Sequence, residues 1–181
     1  QLSGLEENVV LVDSVSKRYS MCGARIGAMV TKNREVHSAA MKFAMARLSP
    51  PTLAQVASEA ALATSVAYFE EVRSTYVARR NALVEGLRAI QGVSVPMPGG
   101  AFYAVCELPI DNADSFCQWM LEHFDLNGDT VMLAPAAGFY ATPGLGKTQV
   151  RIAYVLDVEL IERAVECLEA ALKRYPGRRD H

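Results

Sequence analysis

The stretch SVSKRYSMCGARIG, residues 14–27, decides the interpretation of this chain. Lys17 follows two hydroxyl side chains, Ser14 and Ser16. Arg25 comes eight residues after the lysine and is flanked by two glycines, which let a backbone approach a ligand closely. A guanidinium is a planar fork that matches phosphate oxygens, and a serine hydroxyl donates to the same oxygens. The spacing therefore predicts a lysine that faces a ligand whose phosphate is held by Ser14 and Arg25.

The chemistry of Lys17 follows from this setting. A lysine that lies near another cation and is partly removed from water loses its proton more easily and becomes a nucleophile. A nucleophilic lysine beside a phosphate anchor is what pyridoxal 5'-phosphate (PLP) chemistry requires. A short S-x-S-K pattern alone more often marks a solvated loop with an exposed lysine. The longer spacing to Arg25 favours the functional interpretation.

Bulk composition indicates an ordinary globular protein. The chain has 181 residues, of which 51% are apolar, and this is enough for a core in one domain or two lobes. The formal net charge is −2 and no basic block occurs, so we expect no nucleic-acid partner. No apolar run approaches the roughly 20 residues that span a bilayer, so we expect no membrane association. Four scattered cysteines without a C-x-x-C pair argue against a zinc site and predict a reducing, cytoplasmic setting.

The first half of the chain predicts two short strands followed by long helices. The apolar run 9–12 is typical of a strand buried on both faces, and 26–31 is typical of a second strand. Asn33 is placed to cap a helix that must end before the two prolines at positions 50 and 51. Residues 52–85 contain neither glycine nor proline, which predicts two helices or one long bent helix.

The second half of the chain predicts an alternation of strands and helices. One helix is expected to start at Asn112 or Asp114, and the last helix at Asp157. Strands are predicted over four stretches: 93–95, 101–107, 131–133 and 149–155. The whole order favours an α/β protein with a smaller C-terminal α+β lobe.

A charged residue, Arg151, lies inside the last predicted strand among mostly apolar neighbours. A half-buried guanidinium needs a partner, and a substrate carboxylate bound through two hydrogen bonds would supply one. The alternative is a surface arginine on the polar face of the strand, together with Gln149. The strand alone does not decide between the two.

Residues 14–27 resemble the PLP-attachment motif of the class I and II aminotransferases of fold type I. The resemblance implies that Lys17 carries the cofactor, that Ser14 and Arg25 bind its phosphate, and that Ser16 belongs to the same site. It extends over most of the chain. The matching segments are PPT at 50–52, RRN at 79–81, PGGAFY at 98–103 and VRIAY at 150–154.

The resemblance also implies a domain arrangement and a role for Arg151. Residues 1–50 would form the C-terminal edge of a PLP-binding large domain, 51–92 the long interdomain helices, and 93–181 a small α+β C-terminal domain. Arg151 would bind the α-carboxylate of the substrate. The segment before its strand would lie near the entrance of the active site, with Phe139 and Tyr140 lining it.

The activity implied by the resemblance is transfer of an amino group between an L-amino acid and a 2-oxoacid. Lys17 would move the proton as general base and acid. Aspartate is the best single guess for the amino acid, although Ala44 stands where we align the second cation of the dicarboxylate-selective members. We expect the chain to be the C-terminal part of a longer enzyme, inactive alone, since the family's pyridine-binding aspartate and ring-contacting residues lie upstream of the lysine. We also expect a homodimer or other self-association, because unpaired strand edges recruit partners.

Two other functions remain open at this point. One is another fold-type I PLP enzyme, such as a C–S lyase or a decarboxylase. The other is a non-catalytic, aminotransferase-like effector domain of a transcription regulator.

Of two further motifs, the first is interpreted as a turn and the second as a mobile loop rich in glycine and proline. DLNGD at 125–129 lacks the later glycine and glutamate of an EF-hand loop, and GLGKT at 144–148 lacks the first glycine of a phosphate-binding loop. The three histidines lack the spacing of metal ligands.

Overall fold

The computed structural model describes residues 3–179, which fall into two compact units divided after Tyr68. These residues form six α-helices and two small antiparallel sheets, in agreement with the predicted mixture of helices and strands. The division lies inside the 51–92 stretch that the sequence assigns to interdomain helices, and the predicted domain boundaries stay a prediction.

The first unit begins with a β-hairpin of β1 (Val10–Ser14) and β2 (Gly27–Thr31). The strands pair antiparallel, from Val10 opposite Thr31 to Ser14 opposite Gly27. A β-carbon at Gly27 would lie 2.8 Å from the Asp13 carbonyl oxygen, so the close pairing at this end requires glycine. The connection between the strands holds a single helical turn, α1 (Val15–Arg18), and a short 3-10 turn.

Burial of the first strand differs from the prediction. Every residue of β1 is exposed, and Val12 is 75% exposed, so the expectation of a strand buried on both faces is wrong for this structure. No side chain among residues 3–68 is buried. A hairpin has two faces and two edges, and in the described part of this unit no second layer covers them.

Three helices follow the hairpin: α2 (Arg34–Arg47), α3 (Thr52–Ala61) and α4 (Val66–Ala89). Asn33 caps α2 as predicted, because its Oδ1 accepts a hydrogen bond from the backbone N–H of Val36. The break between α3 and α4 confirms two helices where the sequence left open a single bent one.

The second unit is built on a three-stranded sheet of β3 (Tyr103–Glu107), β4 (Ala134–Pro135) and β5 (Gln149–Ala153). The order is β3-β5-β4, with every neighbour antiparallel, so β5 is central. The predicted strand at 131–133 is wrong in position, because the pairing with β5 forms at Ala134 and Pro135. The predicted strand at 93–95 is reduced to one isolated bridge, Ser94 with Glu107.

Two helices pack with this sheet around one hydrophobic core: α5 (Ala113–His123) and α6 (Val158–Arg174). The Asp157 cap is confirmed, and of the two predicted starts of α5 the structure uses Asn112; these side chains accept backbone hydrogen bonds from Leu160 and Ser115. The C-terminal half of α4 joins the core. Fully buried side chains in this core include Val84, Leu87, Phe116, Met120, Val150, Leu168 and Leu172.

Side chains alternate across the sheet, and this positions the candidate site. Ala104, Cys106 and Val150 are buried in the core. Arg151 follows Val150 on the central strand and therefore faces the opposite side of the sheet. Among residues 3–179, none of the helices combines the length and apolar character needed to cross a bilayer.

Candidate functional site

Lys17 lies in the single turn α1, directly after strand β1. Ser14 is the N-cap of this turn, and its Oγ accepts a hydrogen bond from the backbone N–H of Ser16 at 3.3 Å. The cap fixes the direction in which the chain leaves the strand. Lys17 therefore follows the strand end at a defined position, with its side chain exposed.

The surroundings of Lys17 differ from the sequence-based expectation. Its neighbour Arg18 forms an ion pair with Asp13 at 2.6 Å, and both side chains are about half exposed. Lys17 itself is exposed, so the partial desolvation expected from the sequence is not present among the described residues. Desolvation depends on what packs over the hairpin, and residues 3–68 place no such layer there.

Arg25 lies at the other end of the same connection. It ends a 3-10 turn over Cys22–Ala24 with φ 57° and ψ 40°, the left-handed region that non-glycine residues seldom adopt. Its Nη1 donates to the Cys22 carbonyl at 3.1 Å. Such a conformation costs of the order of 1 kcal/mol and is often found at ligand-binding sites.

Backbone pairing brings the predicted phosphate-binding residues together. Ser14 is opposite Gly27 in the hairpin register, and the Val15 N–H donates to the Ile26 carbonyl at 3.3 Å. These bonds join the segment before Lys17 to the segment after Arg25. Four predicted residues therefore lie at one end of the β1–β2 hairpin: Ser14, Ser16, Lys17 and Arg25.

The donor groups at this hairpin end fit PLP. A guanidinium has five N–H donors, and the Arg25 bond to Cys22 engages only Nη1. The Ser14 hydroxyl accepts one hydrogen bond and keeps its own proton for donation. Lys17 adds a primary amine, the type of group that condenses with an aldehyde. Phosphate donors and an amine are thus gathered within one short connection.

Arg151 is the second candidate group and belongs to the second unit. Strand β5 pairs on both sides at this residue, with Val105 of β3 and Ala134 of β4. The side chain is half-buried and contacts two aromatic rings. Its guanidinium carbon is 4.5 Å from the centre of the Tyr103 ring and 4.4 Å from the centre of the Phe139 ring.

The environment of Arg151 suits an anion. Within residues 3–179 its guanidinium takes part in no ion pair and no hydrogen bond. Both rings lie close to the guanidinium carbon. A carboxylate that approaches in the plane of a guanidinium can accept two parallel hydrogen bonds. Gln149 lies on the same face, as the sequence alternative proposed, and the Arg151 guanidinium also contacts the Tyr103 and Phe139 rings.

The sequence pattern does not predict that the Tyr103 ring contacts Arg151. Tyr103 pairs with Ala153, two residues from Arg151, so its ring reaches the guanidinium diagonally across the strands. The register of β3 and β5 was needed to find this contact. Phe139 and Tyr140 were placed near the entrance by resemblance alone, and no local pattern predicted that Phe139 covers Arg151.

The two motifs set aside in the sequence form turns. Leu126 and Asp129 form an isolated bridge, with Asn127 and Gly128 at φ 56° and 88°, which is typical of a tight hairpin turn. Residues 144–148 lie in turns before β5. Within residues 3–179 no cluster of three or more His, Cys, Asp or Glu side chains could hold a metal ion.

Comparison with known proteins places these features in a family. The profile of the family "Aminotransferase class I and II" matches residues 2–168. An aspartate aminotransferase of Rhizobium meliloti is 30% identical over 183 aligned positions, which cover 94% of this chain and 42% of that protein. The chain thus spans less than half the length of the curated relatives it matches.

Solved structures agree with the sequence match. The crystal structure of an aspartate aminotransferase from Rhizobium meliloti superposes with a TM-score of 0.77 at 28% identity, covering 94% of this chain and 43% of that one. An aromatic aminotransferase from Pyrococcus horikoshii gives 0.80 at 26% identity, covering 95% and 45%. LysN, an α-aminoadipate aminotransferase from Thermus thermophilus complexed with N-(5'-phosphopyridoxyl)-L-leucine, gives 0.77 at 27% identity, covering 91% and 42%.

Proposed function

As the chain belongs to the class I and II aminotransferase family, we propose that it is part of a PLP-dependent enzyme that transfers an amino group between an L-amino acid and a 2-oxoacid. The observation that carries the proposal is the gathering of Lys17, Ser14 and Arg25 at one end of the β1–β2 hairpin. Several relatives are named aspartate aminotransferase, so aspartate is the proposed amino acid. The activity is proposed for the longer polypeptide, because these residues span about 42% of such relatives.

Lys17 has two tasks in this proposal. Its Nζ would hold the cofactor, and its amine would take a proton from the substrate Cα and return one to the product. PLP, when bound, supplies the electron sink that makes this proton acidic. The Ser14 cap and the single turn α1 place Lys17 three residues after Ser14, so its side chain starts from a defined backbone position close in sequence to the phosphate donors.

Ser14 and Arg25 orient the cofactor through its phosphate. The Ser14 hydroxyl and the outward N–H groups of Arg25 donate to phosphate oxygens, and each bond to the charged group is stronger than a neutral one. Arg25 has a left-handed backbone, and its Nη1 donates to the Cys22 carbonyl within the same connection. Ser16, whose N–H is tied to Ser14, completes the short segment between anchor and amine.

Arg151 binds the α-carboxylate of the substrate. Contacts with the Tyr103 and Phe139 rings limit the motion of the guanidinium before substrate binds, so less side-chain entropy is lost when the carboxylate binds. Replacement by lysine keeps the charge but loses the fork that forms two parallel hydrogen bonds.

Activity of the longer protein tests this proposal. We expect transamination of aspartate with a 2-oxoacid acceptor, and a loss of kcat by about 100- to 10,000-fold in Lys17→Ala, as for removal of a general acid–base group. Arg151→Lys should raise KM for both substrates by about tenfold or more, since a bond to a charged group is worth about 1.5–3 kcal/mol. The 181-residue chain alone should show no turnover.

Product analysis separates the proposal from its rivals. Formation of the 2-oxoacid of the amino donor, matched by amination of the acceptor, supports an aminotransferase. Release of carbon dioxide or a thiol would instead identify a decarboxylase or a C–S lyase. Full transamination by Lys17→Ala would contradict the role given to the lysine.

A further inference from the structure

Phe139, whose ring contacts Arg151, is followed by Tyr140, which makes contacts of its own with Gly146 and Gln149. We propose that Tyr140 is a positioning residue: its ring, seated on Gly146 and hydrogen-bonded to Gln149, holds Phe139 against the Arg151 guanidinium and so sets the affinity for the substrate carboxylate. This inference rests on the proposed role of Arg151 and extends it to a residue that does not touch the substrate.

The Tyr140 ring packs directly against Gly146, where no side chain is present. A β-carbon at Gly146 would lie 2.6 Å from Cε2 and 2.7 Å from Cδ2 of the Tyr140 ring. It would also lie 3.1 Å from the carbonyl carbon of Ala136. Distances below 3.0 Å are steric overlap, so the ring occupies the space that any other residue at position 146 would fill.

One side-chain hydrogen bond also holds the Tyr140 ring. The Tyr140 hydroxyl donates to Oε1 of Gln149 at 2.6 Å. Gln149 lies two residues before Arg151 on β5 and therefore on the same face of the sheet. Two backbone hydrogen bonds join the same segments. The N–H of Gln149 donates to the Gly146 carbonyl at 3.1 Å, and the N–H of Ala136 donates to the Gln149 carbonyl at 2.9 Å.

Phe139 has little other support. It is 57% exposed, and it belongs to a single 3-10 turn over Ala137–Phe139. Its N–H donates to the Ala136 carbonyl at 3.0 Å, and its ring lies 4.4 Å from the Arg151 guanidinium carbon. An exposed aromatic side chain on a short turn keeps one position only if its neighbours hold it. Tyr140, the next residue, packs against Gly146 and donates a hydrogen bond to Gln149.

The affinity of Arg151 for a carboxylate tests whether Tyr140 holds Phe139 against the Arg151 guanidinium. The probe is acetate, titrated into the 181-residue chain while the resonance of the Arg151 Nε–H is followed by nuclear magnetic resonance. We expect Gly146→Ala, Tyr140→Ala and Phe139→Ala each to weaken acetate binding by roughly two- to fivefold, the range of one exposed cation–π contact. Tyr140→Phe, which keeps the ring, should have a smaller effect than Tyr140→Ala.

Gly144→Ala is the matched control. Gly144 has φ +86° and Gly146 φ +72°, so both substitutions strain the backbone similarly, but a β-carbon at Gly144 meets nothing within 4 Å. Acetate affinity should be unchanged in Gly144→Ala. Equal effects of the two glycine substitutions, or unchanged affinity in both Tyr140→Ala and Phe139→Ala, would overturn the proposal.

The longer enzyme separates failure of this inference from failure of the proposed function. There, Tyr140→Ala should raise KM for the amino acid and leave kcat within about twofold of the parent. A chain that binds acetate as described but has no aminotransferase activity in the longer protein would contradict the proposed function and leave the positioning role in place. Reduced kcat with unchanged KM would contradict the positioning role.

Discussion

Cysteine reactivity depends on which thiols the core covers. Cys106, Cys117 and Cys167 are buried, whereas Cys22 is exposed in the turn that leads to Arg25. Burial raises the pKa of the Cys106 thiol to about 12 and that of Cys117 to about 11, and neighbouring carboxylates add to both shifts. A protonated, buried thiol is a poor nucleophile.

We therefore expect one fast-reacting thiol in the folded chain at neutral pH. Iodoacetamide followed by peptide mass spectrometry should label Cys22 first, and the other three only when urea unfolds the chain. The Cys22→Ser variant is the control and should show no rapid labelling. Labelling of Cys106 at the rate of Cys22 would show that the second unit opens readily.

Individual residues of the candidate site differ in whether the sequence alone predicts them. Lys17, Ser14 and Arg25 lie within one short connection, so their spacing in the sequence is enough to predict a shared site. The rings around Arg151 come from two segments that are far apart in the chain, and strand register decides which side chains meet. The exposure of Lys17 was also not predictable, because burial depends on what lies over the hairpin rather than on the hairpin sequence.

At the scale of elements, helices α4 and α6 are in close contact at Gly86. A β-carbon there would lie 2.9 Å from Cγ1 and 3.2 Å from Cγ2 of Val165. Glycine is otherwise unfavourable inside a helix by about 1 kcal/mol relative to alanine. The residue is therefore explained by the packing of the two helices and not by helix propensity.

Gly86→Ala should destabilise the second unit despite its better helix propensity. Overpacking of a core by one methyl group costs about 1–3 kcal/mol, which exceeds the gain of about 1 kcal/mol in propensity. Urea unfolding should show a net loss of up to about 2 kcal/mol. In the Val165→Ala background the sign should reverse, because the space opposite residue 86 is then free. A loss of the same size in both backgrounds would contradict this explanation.

Elements with local determinants were predicted well. Asn33, Asn112 and Asp157 each accept a hydrogen bond from a backbone N–H three residues later, and this local interaction fixed three helix starts. The strand expected at 131–133 formed instead at 134–135, since pairing with β5 and not the apolar run determines its position. A local sequence pattern does not contain the information about which residues of two strands pair in the folded protein.

The whole molecule has an unequal distribution of buried side chains. Every buried hydrophobic residue belongs to the second unit, from Leu83 onward, and no residue among 3–68 is buried. Exposed apolar side chains lie on both strands of the hairpin, with Leu11 at 57% and Val30 at 59%. A two-stranded sheet with such faces is only marginally stable alone.

A polypeptide of residues 66–181 should therefore fold by itself. It contains α4 and the entire core, so we expect a single cooperative thermal transition in circular dichroism. A polypeptide of residues 1–65 should show no such transition. Loss of the cooperative transition in residues 66–181 would mean that the first unit is required for the core.

Exposed strands in the first unit also predict self-association of the 181-residue chain. Val12 is 75% exposed at the centre of β1. Light scattering over a range of concentrations should show species larger than a monomer, and Val12→Lys should shift the distribution toward monomer. A monomer at high concentration in the unsubstituted chain would contradict this.

Covalent capture of PLP tests the central claim most directly, and it requires no turnover. The 181-residue chain is incubated with PLP and reduced with borohydride, and the modified lysine is identified by peptide mass spectrometry. We predict that the phosphopyridoxyl group is found on Lys17 in preference to Lys32 and Lys42, which are also exposed. Arg25→Ala should remove this preference, and Lys32→Ala should leave it intact. Equal modification of Lys17, Lys32 and Lys42 in the unsubstituted chain would contradict the assignment of Lys17 as the cofactor lysine.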